Sequence, residues 1–244
     1  MSEINWNGYG QTDVGAVRDE NQDSFIGIDP IGVWCVADGM GGHKEGGIAS
    51  HLVTQSLESL QQKEIRTLDE LVVEAHQLLH EANRSLREMS ESFYGEELIG
   101  TTVVVLFIRG DTGAVTWSGD SRLYRMRDTA FELITRDHTQ FEELVSRGLI
   151  DDLSSEASHP ASHMLTRALG VGKELELDTV RLQVEPGDVF LLCSDGLSNM
   201  IDQLDLGKTI YYSEDKQRAV ANLINMALAR QANDNVSALI VDKV

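Results

Sequence analysis

The segment from Gly32 to Gly39 reads GVWCVADG, an apolar run that ends in an aspartate beside a glycine. The segments VFLLCSDG, residues 189–196, and AVTWSGD, residues 114–120, end in the same way. In NDNVSALIVD, residues 233–242, an aspartate instead precedes the apolar run. Short apolar runs rich in β-branched and aromatic residues are typical of buried strands. The sequence therefore predicts that strands begin or end at four aspartates: Asp38, Asp120, Asp195 and Asp234.

Similar strand-like runs dominate the rest of the chain. The predicted strands are residues 24–28, 32–37, 101–108, 114–118, 123–127, 131–135, 180–184, 189–193 and 236–241. Most of them come in adjacent pairs without a helix-length spacer, and residues 111–113 (Asp-Thr-Gly) are a plausible hairpin turn. This spacing favours antiparallel sheets over alternating strand–helix units.

Three segments between the strands have the apolar periodicity of helices. The first is residues 47–61, and the second begins with a capping-box pattern, Thr67-Leu-Asp-Glu70. The third has an apolar stripe over residues 219–227, with Ser213 as a candidate N-cap. Strands and helices together predict an α+β sandwich.

The domain organisation is simple, because the chain has only three prolines and no low-complexity stretch. We therefore expect a single domain over residues 1–244. The segment at about 140–165 is less regular than the rest. It is either a mobile flap over a site or a surface excursion without a role.

Composition excludes some classes of function. A formal net charge of −20 disfavours binding to nucleic acid or to anionic lipid, so we expect neither partner. The start, MSEINWNGYG, lacks the basic and apolar regions of a signal peptide, and no apolar run approaches the length of a membrane span. The two cysteines lie inside apolar runs and indicate small buried side chains rather than a zinc site. The expected location is the cytoplasm.

The strand-end aspartates also suggest a chemistry. Each one alone is explained equally well by a turn, because Asp-Gly is a common turn sequence. Four carboxylates that converge need a counter-charge, and an all-oxygen site with few histidines favours Mg²⁺ or Mn²⁺ over Zn²⁺. Two such ions can activate a water for attack on a phosphate ester. Arg18 is then a candidate phosphate-binding fork, unless it forms only a surface salt bridge with Asp19 or Glu20.

A series of motifs in this order gives a resemblance to a known family. The motifs are RDENQD, VADGMGG, GTT, GDSR, DHT, LTRALG, SDG and NDN. Together they resemble the metal-dependent protein phosphatases of type 2C, the PPM family, in their compact bacterial form. The resemblance runs from about Tyr9 to Val241. It implies a four-layer α-β-β-α sandwich, with two antiparallel sheets flanked by helices and metals in a cleft at one end.

The resemblance also implies roles for individual residues. Asp38 would bridge two core ions, Mn²⁺ or Mg²⁺, and Arg18 would hold the phosphate while a bridging hydroxide attacks it in line. The remaining ligands would be Asp195 and Asp234 on the first ion, the Gly39 carbonyl and Asp23, directly or through water, on the second, and Asp120 with Asp195 on a weaker third.

The chain departs from the family pattern at several positions. Met40 stands where animal members have the histidine proposed as the acid that protonates the leaving oxygen. Either His43 or a metal-bound water takes that role, and His43 is our candidate catalytic residue. Gln22 replaces the glutamate of some members. The flap lacks the arginine that many relatives place soon after His-Pro, so substrate selection there stays open.

The function expected is a cytoplasmic protein serine/threonine phosphatase. Its partners would be phosphorylated proteins, the substrates of a bacterial Ser/Thr kinase, and the chain would act as a monomer. Two alternatives remain at this point. One is a metal-binding pseudo-phosphatase that docks a phosphoprotein without turnover. The other is a two-metal nuclease or phosphodiesterase, which the negative charge disfavours.

Overall fold

A computed structural model describes residues 6–41, 45–93, 99–150 and 159–243. Within these ranges two antiparallel sheets lie at the centre of the fold. The strands are β1 (Trp6–Asp13), β2 (Asp23–Ile28), β3 (Val33–Gly41), β4 (Ile99–Thr101), β5 (Val103–Arg109), β6 (Thr112–Ser118), β7 (Arg122–Arg127), β8 (Ala130–Leu133), β9 (Asp178–Gln183), β10 (Val189–Cys193) and β11 (Val236–Lys243). One sheet has the order β1-β11-β10-β7-β8, and the other has the order β2-β3-β5-β6-β9, with β4 paired to the end of β3.

The α-helices of the described ranges are α1 (Glu45–Glu58), α2 (Leu68–Phe93), α3 (Gln140–Ser146), α4 (Asp195–Ser198), α5 (Gln203–Tyr211) and α6 (Lys216–Ala229). All but α3 cover the outer faces of the sheets, and α3 lies beside the 3₁₀ helix Pro160–His163. Helices α1 and α2 pack on the six-stranded sheet, and α4, α5 and α6 pack on the five-stranded sheet. Among the helices in the described ranges, none has the length and apolar character that a membrane span requires.

The central strands β3, β5, β10 and β11 are buried on both faces, and alternate residues supply different layers. In β3, Cys35 faces the helices α1 and α2, while Trp34 and Val36 face the other sheet. In β10, Leu191 faces the helices of the second layer, while Phe190 and neighbouring residues fill the space between the sheets. Three apolar layers therefore separate helices, sheet, sheet and helices. The predicted α-β-β-α sandwich is confirmed.

The structure corrects several predicted boundaries. The strand predicted at 101–108 is two strands, β4 and β5, interrupted at Thr102. Strand β3 continues past Ala37, so Asp38 lies inside it and pairs with Asp23 of β2. The tight turn of the β5–β6 hairpin is Gly110-Asp111, one residue earlier than predicted, because Gly110 adopts a positive φ of 64°.

Four of the strands and α-helices in the described ranges were not predicted at all: β1, α3, α4 and α5. Helix α3 falls in the segment 140–165 that lacked regular periodicity. The capping box at α2 is confirmed, since the Glu70 amide donates to Thr67 Oγ1 at 3.1 Å and the Thr67 amide donates to Glu70 Oε2 at 3.1 Å. Ser213 is not the cap of α6; Asp215 is, and its Oδ1 accepts from the Arg218 amide.

Candidate active site

A cleft of about 410 Å³ collects most of the residues that the sequence singled out. Its walls come from strand ends of both sheets and from the segment that follows the 3₁₀ helix Pro160–His163. The lining residues are Arg18, Gln22, Asp38, Gly39, Met40, Gly41, Thr102, Asp120, His163, Leu165, Arg167, Ala168, Val171, Asp195 and Asp234. The predicted convergence of the four strand-end aspartates is therefore present in the structure.

Asp38 is fixed by the strands on either side of it. Its backbone amide donates to Thr102 Oγ1 at 3.0 Å. Its carbonyl oxygen accepts from the Thr102 amide at 2.8 Å and from Thr101 Oγ1 at 2.9 Å. Burial raises the pKa of the Asp38 carboxyl well above its ordinary value, and the neighbouring carboxylates of Asp23 and Asp195 raise it further.

Asp195 lies at the junction of β10 and α4, with Ser194 as the N-cap residue. Its Oδ2 accepts from Asn199 Nδ2 at 3.1 Å, whereas its buried Oδ1 has no hydrogen-bond partner. Burial, followed by the charge of Asp234, raises the pKa of Asp195. An uncompensated carboxylate oxygen of this kind is costly unless a cation faces it.

Asp120 follows β6 and is 9% exposed. Burial and the charge of Asp195 raise the pKa of its carboxyl. The next residue, Ser121, shares a hydrogen bond of 2.7 Å with Thr102 Oγ1, so the turn that carries Asp120 is joined to the backbone around Asp38. The two acids therefore belong to one hydrogen-bonded unit.

Asp23 does not line the cleft but lies behind it, 5% exposed. Its Oδ2 accepts from Ser194 Oγ at 2.8 Å and from Ser237 Oγ at 2.6 Å, and its Oδ1 has no partner. Burial raises the pKa of Asp23 to about 7, although the two serine hydroxyls act in the opposite direction. Its hydroxyl contacts tie β2 to the strand ends that carry Asp195 and Asp234.

The loop that carries Arg18 is held against the backbone around Asp234. Asn235 Oδ1 accepts from the Gln22 amide at 2.8 Å, and its Nδ2 donates to the Val14 and Glu20 carbonyls at 2.8 and 3.0 Å. Arg18 donates from Nε and a terminal nitrogen to the two carboxylate oxygens of Asp234, at 3.0 and 2.8 Å. The Arg18 guanidinium is thus placed at the mouth of the acidic cleft, with 55% of its side chain exposed.

Gly39 occupies a position where no side chain fits. A Cβ at this residue would lie 2.0 Å from the carbonyl oxygen of Gly46 in the first turn of α1. Its amide donates to the Gln22 carbonyl at 3.1 Å. The predicted site residue His43 lies outside the described residues.

Two further residues of the cleft wall, His163 and Arg167, have no role predicted from the sequence. Both belong to the motif stretch HPASHMLTRALG, but nothing in their spacing shows that the chain folds back over the acids. Arg167 donates to Asp178 Oδ1 at 3.1 Å and pairs with Glu176 at 3.2 Å.

The donor set of the cleft fits hard divalent cations. Carboxylates and backbone carbonyls supply oxygen, and buried Oδ1 atoms of Asp195 and Asp23 lack any partner. Within the described ranges, no three acidic, cysteine or histidine side chains already stand in the geometry of a metal site. Asp234, for example, directs both of its oxygens to Arg18. The residues are those that Mg²⁺ or Mn²⁺ prefers.

The chain is similar to protein phosphatases of known sequence and structure. The protein phosphatase 2C family profile matches residues 15–239. A serine/threonine phosphatase stp of Listeria monocytogenes is 29% identical over 238 residues, which are 96% of this chain and 94% of the relative. The solved structure of PppA, described as a key regulatory component of T6SS in Pseudomonas aeruginosa, is 35% identical with a TM-score of 0.88 and covers 98% of each chain.

A further solved structure is the catalytic domain of the serine threonine protein phosphatase PstP in complex with two manganese ions. It is 29% identical, has a TM-score of 0.86, and covers 99% of this chain and 100% of that one. Because the family profile spans nearly the whole chain, the chain belongs to the protein phosphatase 2C family. It is a bacterial-type protein serine/threonine phosphatase with the fold of that family.

Proposed function

We propose that this phosphatase acts with two divalent cations, Mn²⁺ or Mg²⁺, held in the acidic cleft. The observation that supports it is the meeting of Asp38, Asp195 and Asp234 with Arg18 around one cavity of about 410 Å³. A cation pair, when bound, supplies an activated water and offsets the charge of the phosphate. PstP, a relative of similar fold, is described as a complex with two manganese ions.

Different residues of the cleft would bind each of these ions. Asp38 would contact both cations, Asp195 and Asp234 would complete the first, and the Gly39 carbonyl with Asp23 would serve the second. Asp23 would serve the ion through water, since it is not among the residues that line the cleft. Asp120 with Asp195 would hold a third, weaker ion.

Arg18 would bind the phosphate group of the substrate. Its guanidinium is planar and forked, which suits two phosphate oxygens, and its loop is fixed by Asn235. In the structure the same fork holds the carboxylate of Asp234. With Asp234 holding a cation, Arg18 would be free to bind the anionic substrate. His43 and water remain the two candidates for the acid that protonates the leaving serine or threonine oxygen.

The substrates would be proteins phosphorylated on serine or threonine by a bacterial kinase, and the chain would act in the cytoplasm as a monomer. We further propose that the segment at about 140–165 is a flap subdomain of the single catalytic domain; its residues 151–158 lie outside the described ranges. Its two ends meet, because the Gln140 amide donates to the Met164 carbonyl at 2.8 Å and the rings of Phe141 and His159 lie 5.3 Å apart. This places His163 and Leu165 on the cleft wall.

The test uses a phosphothreonine peptide, with phosphate release measured in added Mn²⁺ and in excess EDTA. We expect turnover only with the ion, and we expect Asp38→Asn and Asp195→Asn to abolish it. Asp111→Asn is the matched control, because Asp111 lies at the opposite end of β6 from Asp120. Full turnover in excess EDTA would contradict the two-ion mechanism, and phosphopeptide binding without turnover would favour the pseudo-phosphatase.

A further inference from the structure

His138 forms hydrogen bonds to both sides of one peptide turn. Its backbone amide donates to the Gly119 carbonyl at 2.9 Å, and its Nδ1 accepts from the Gly119 amide at 3.1 Å. The ring stacks on Trp117, with centroids 5.8 Å apart and planes inclined by 9°. The turn accepts only glycine at position 119, because Gly119 has a φ of 112° and a Cβ there would lie 2.6 Å from the Thr102 side chain. The residue held in place by these contacts is Asp120, which directly follows Gly119.

The other side of the same imidazole faces Asp178, whose side chain contacts a cleft-lining residue. Its Nε2 lies 3.2 Å from Asp178 Oδ2. Because Nδ1 accepts from Gly119, Nε2 carries the proton and donates to Asp178. Asp178 Oδ1 in turn accepts from Arg167 at 3.1 Å, and Arg167 lines the cleft.

The main chain of His138 contacts the segment that carries Arg167. Its carbonyl oxygen accepts from the Thr166 amide at 2.8 Å, one residue before Arg167. The side chain is 8% exposed, so these bonds form away from competing water. One nearly buried residue thus contacts both the turn of Asp120 and the segment of Arg167.

We propose that His138 is a positioning residue that fixes Asp120 and Arg167 on two walls of the cleft through its two ring nitrogens. The inference rests on the proposed function in that Asp120 would hold a cation; it adds that Arg167 contacts the anionic phosphoprotein. His138 itself contacts neither the cation nor the substrate. Loss of Nδ1 frees the turn of Asp120, whereas loss of Nε2 frees Asp178 and leaves Arg167 held by Glu176 without a fixed Asp178.

Two substitutions separate these roles. In His138→Asn the side-chain oxygen takes the place of Nδ1 but nothing reaches Asp178. In His138→Gln the longer amide reaches Asp178 but leaves the Gly119 amide without its acceptor. Asp178→Asn is a further variant, and its position, 48% exposed, makes a failure to fold of little concern. His80→Gln, on the exposed face of α2, is the control.

The readouts are Mn²⁺ binding by calorimetry in the absence of substrate and the KM for a phosphothreonine peptide at saturating Mn²⁺. We expect His138→Gln to weaken the weakest Mn²⁺ site about tenfold with an unchanged KM, since one buried hydrogen bond is lost. We expect His138→Asn and Asp178→Asn to raise KM about tenfold with unchanged Mn²⁺ binding.

Other outcomes discriminate between the inference and the proposed function. If both His138 variants change the two readouts together, or change only the thermal midpoint, His138 is merely structural and the inference is overturned. An unchanged KM in Asp178→Asn overturns the part of the inference in which His138 positions Arg167 through Asp178. Wild-type protein that turns over without divalent ions overturns the proposed function instead, whatever the variants do.

Discussion

At the scale of the residue, the ion pair between Arg18 and Asp234 is expected to contribute little to the free energy of folding. The pair is bidentate, but 55% of the arginine side chain and 34% of the aspartate side chain are exposed. An exposed ion pair contributes about 0–1 kcal/mol to folding. Under the proposed function, the same guanidinium would face a phosphate in the cleft, where charge-assisted hydrogen bonds are stronger. We therefore expect Arg18 to contribute more to substrate binding than to stability.

We accordingly expect Arg18→Ala to lower kcat/KM for a phosphothreonine peptide by about tenfold or more, which corresponds to ~1.4 kcal/mol of lost binding free energy. The urea midpoint should change little. Arg18→Lys keeps the charge and should recover only part of the activity, because it lacks the fork. Steady-state kinetics with urea unfolding on the same preparations checks both statements. A large loss of stability with unchanged kinetics would contradict them.

For Asn235, in contrast to Arg18, we expect a substitution to lower the stability of the protein. Its buried amide holds three backbone groups of the loop that carries Arg18, at Val14, Glu20 and Gln22. Asn235→Ala leaves these groups without their partner, at a cost of about 1–3 kcal/mol in the free energy of unfolding. We expect KM to rise as well, because the loop is no longer fixed. Asn222→Ala on the exposed side of α6 is the control, and equal stability of the two variants would refute this account.

At the scale of the element, the beginning of α6 distinguishes two adjacent capping candidates. Asp215 Oδ1 accepts from the Arg218 amide at 3.2 Å, while Ser213 donates its hydroxyl to the Asp215 carbonyl at 2.9 Å. Asp215→Ala should cost about 1 kcal/mol, as is usual for loss of an N-cap. Ser213→Ala should stay within about 0.5 kcal/mol. Thermal or urea unfolding measures the difference, and the reverse ranking would show that the helix begins earlier.

Helix α2 carries a histidine whose protonation state bears on stability. His76 Nε2 lies 3.1 Å from Thr116 Oγ1 and 3.2 Å from Thr179 Oγ1, on the six-stranded sheet. Burial lowers the pKa of His76, and the charges of His80 and Arg181 lower it further. Below the ordinary histidine pKa near 6.5, the unfolded chain therefore binds the proton more readily than the folded chain.

The sign follows from that difference: the contribution of His76 to stability is complete above about pH 6.5 and is lost as the pH falls towards the lowered value. His76→Gln does not titrate. We expect the wild type to lose more stability than this variant between pH 7.5 and pH 5, as measured by urea unfolding at each pH. Parallel losses in the two proteins would show that His76 does not contribute.

Sequence patterns predicted the central strands because both faces of these strands are buried, so that they appear in the sequence as apolar runs. The patterns missed β1 for a physical reason that only tertiary structure reveals. Gly8 and Gly10 interrupt its strand pattern, and the rings of Trp34 and Phe25 fill the space where their Cβ atoms would lie, at 2.6 and 2.3 Å. A strand shaped by its neighbours' rings has little signature of its own.

In the cleft, too, the positions that depend on tertiary structure could not be predicted from the sequence. The acids were predictable because each follows or precedes an apolar run, and Arg18 was predictable from the motif that carries it. The positions of His163 and Arg167 depend on how residues 159–168 fold back across the strand ends, through bonds such as that between the Thr166 amide and the His138 carbonyl. No local pattern encodes that path.

At the scale of the whole molecule, a net charge of −20 is partly concentrated in one cleft. On top of burial, the charge of Asp195 raises the pKa of Asp38 and of Asp120, and the charge of Asp234 raises the pKa of Asp195. This repulsion opposes folding in the absence of a counter-ion. Divalent cations that bind only the folded state reverse this by mass action. Metal binding and folding should therefore be coupled in this protein.

We expect Mn²⁺ at about 100 times its dissociation constant to add about 2.7 kcal/mol to the free energy of unfolding. For a chain of this size that corresponds to a rise in Tm of roughly 5–10 °C. Asp38→Asn removes one of the repelling charges, so its Tm in EDTA should equal or exceed that of the wild type, while its response to Mn²⁺ should shrink. Asp111→Asn should respond as the wild type does. Calorimetric scans of the three proteins with and without Mn²⁺ decide the matter, since equal Mn²⁺ responses in all three would separate cation binding from the acids of the cleft.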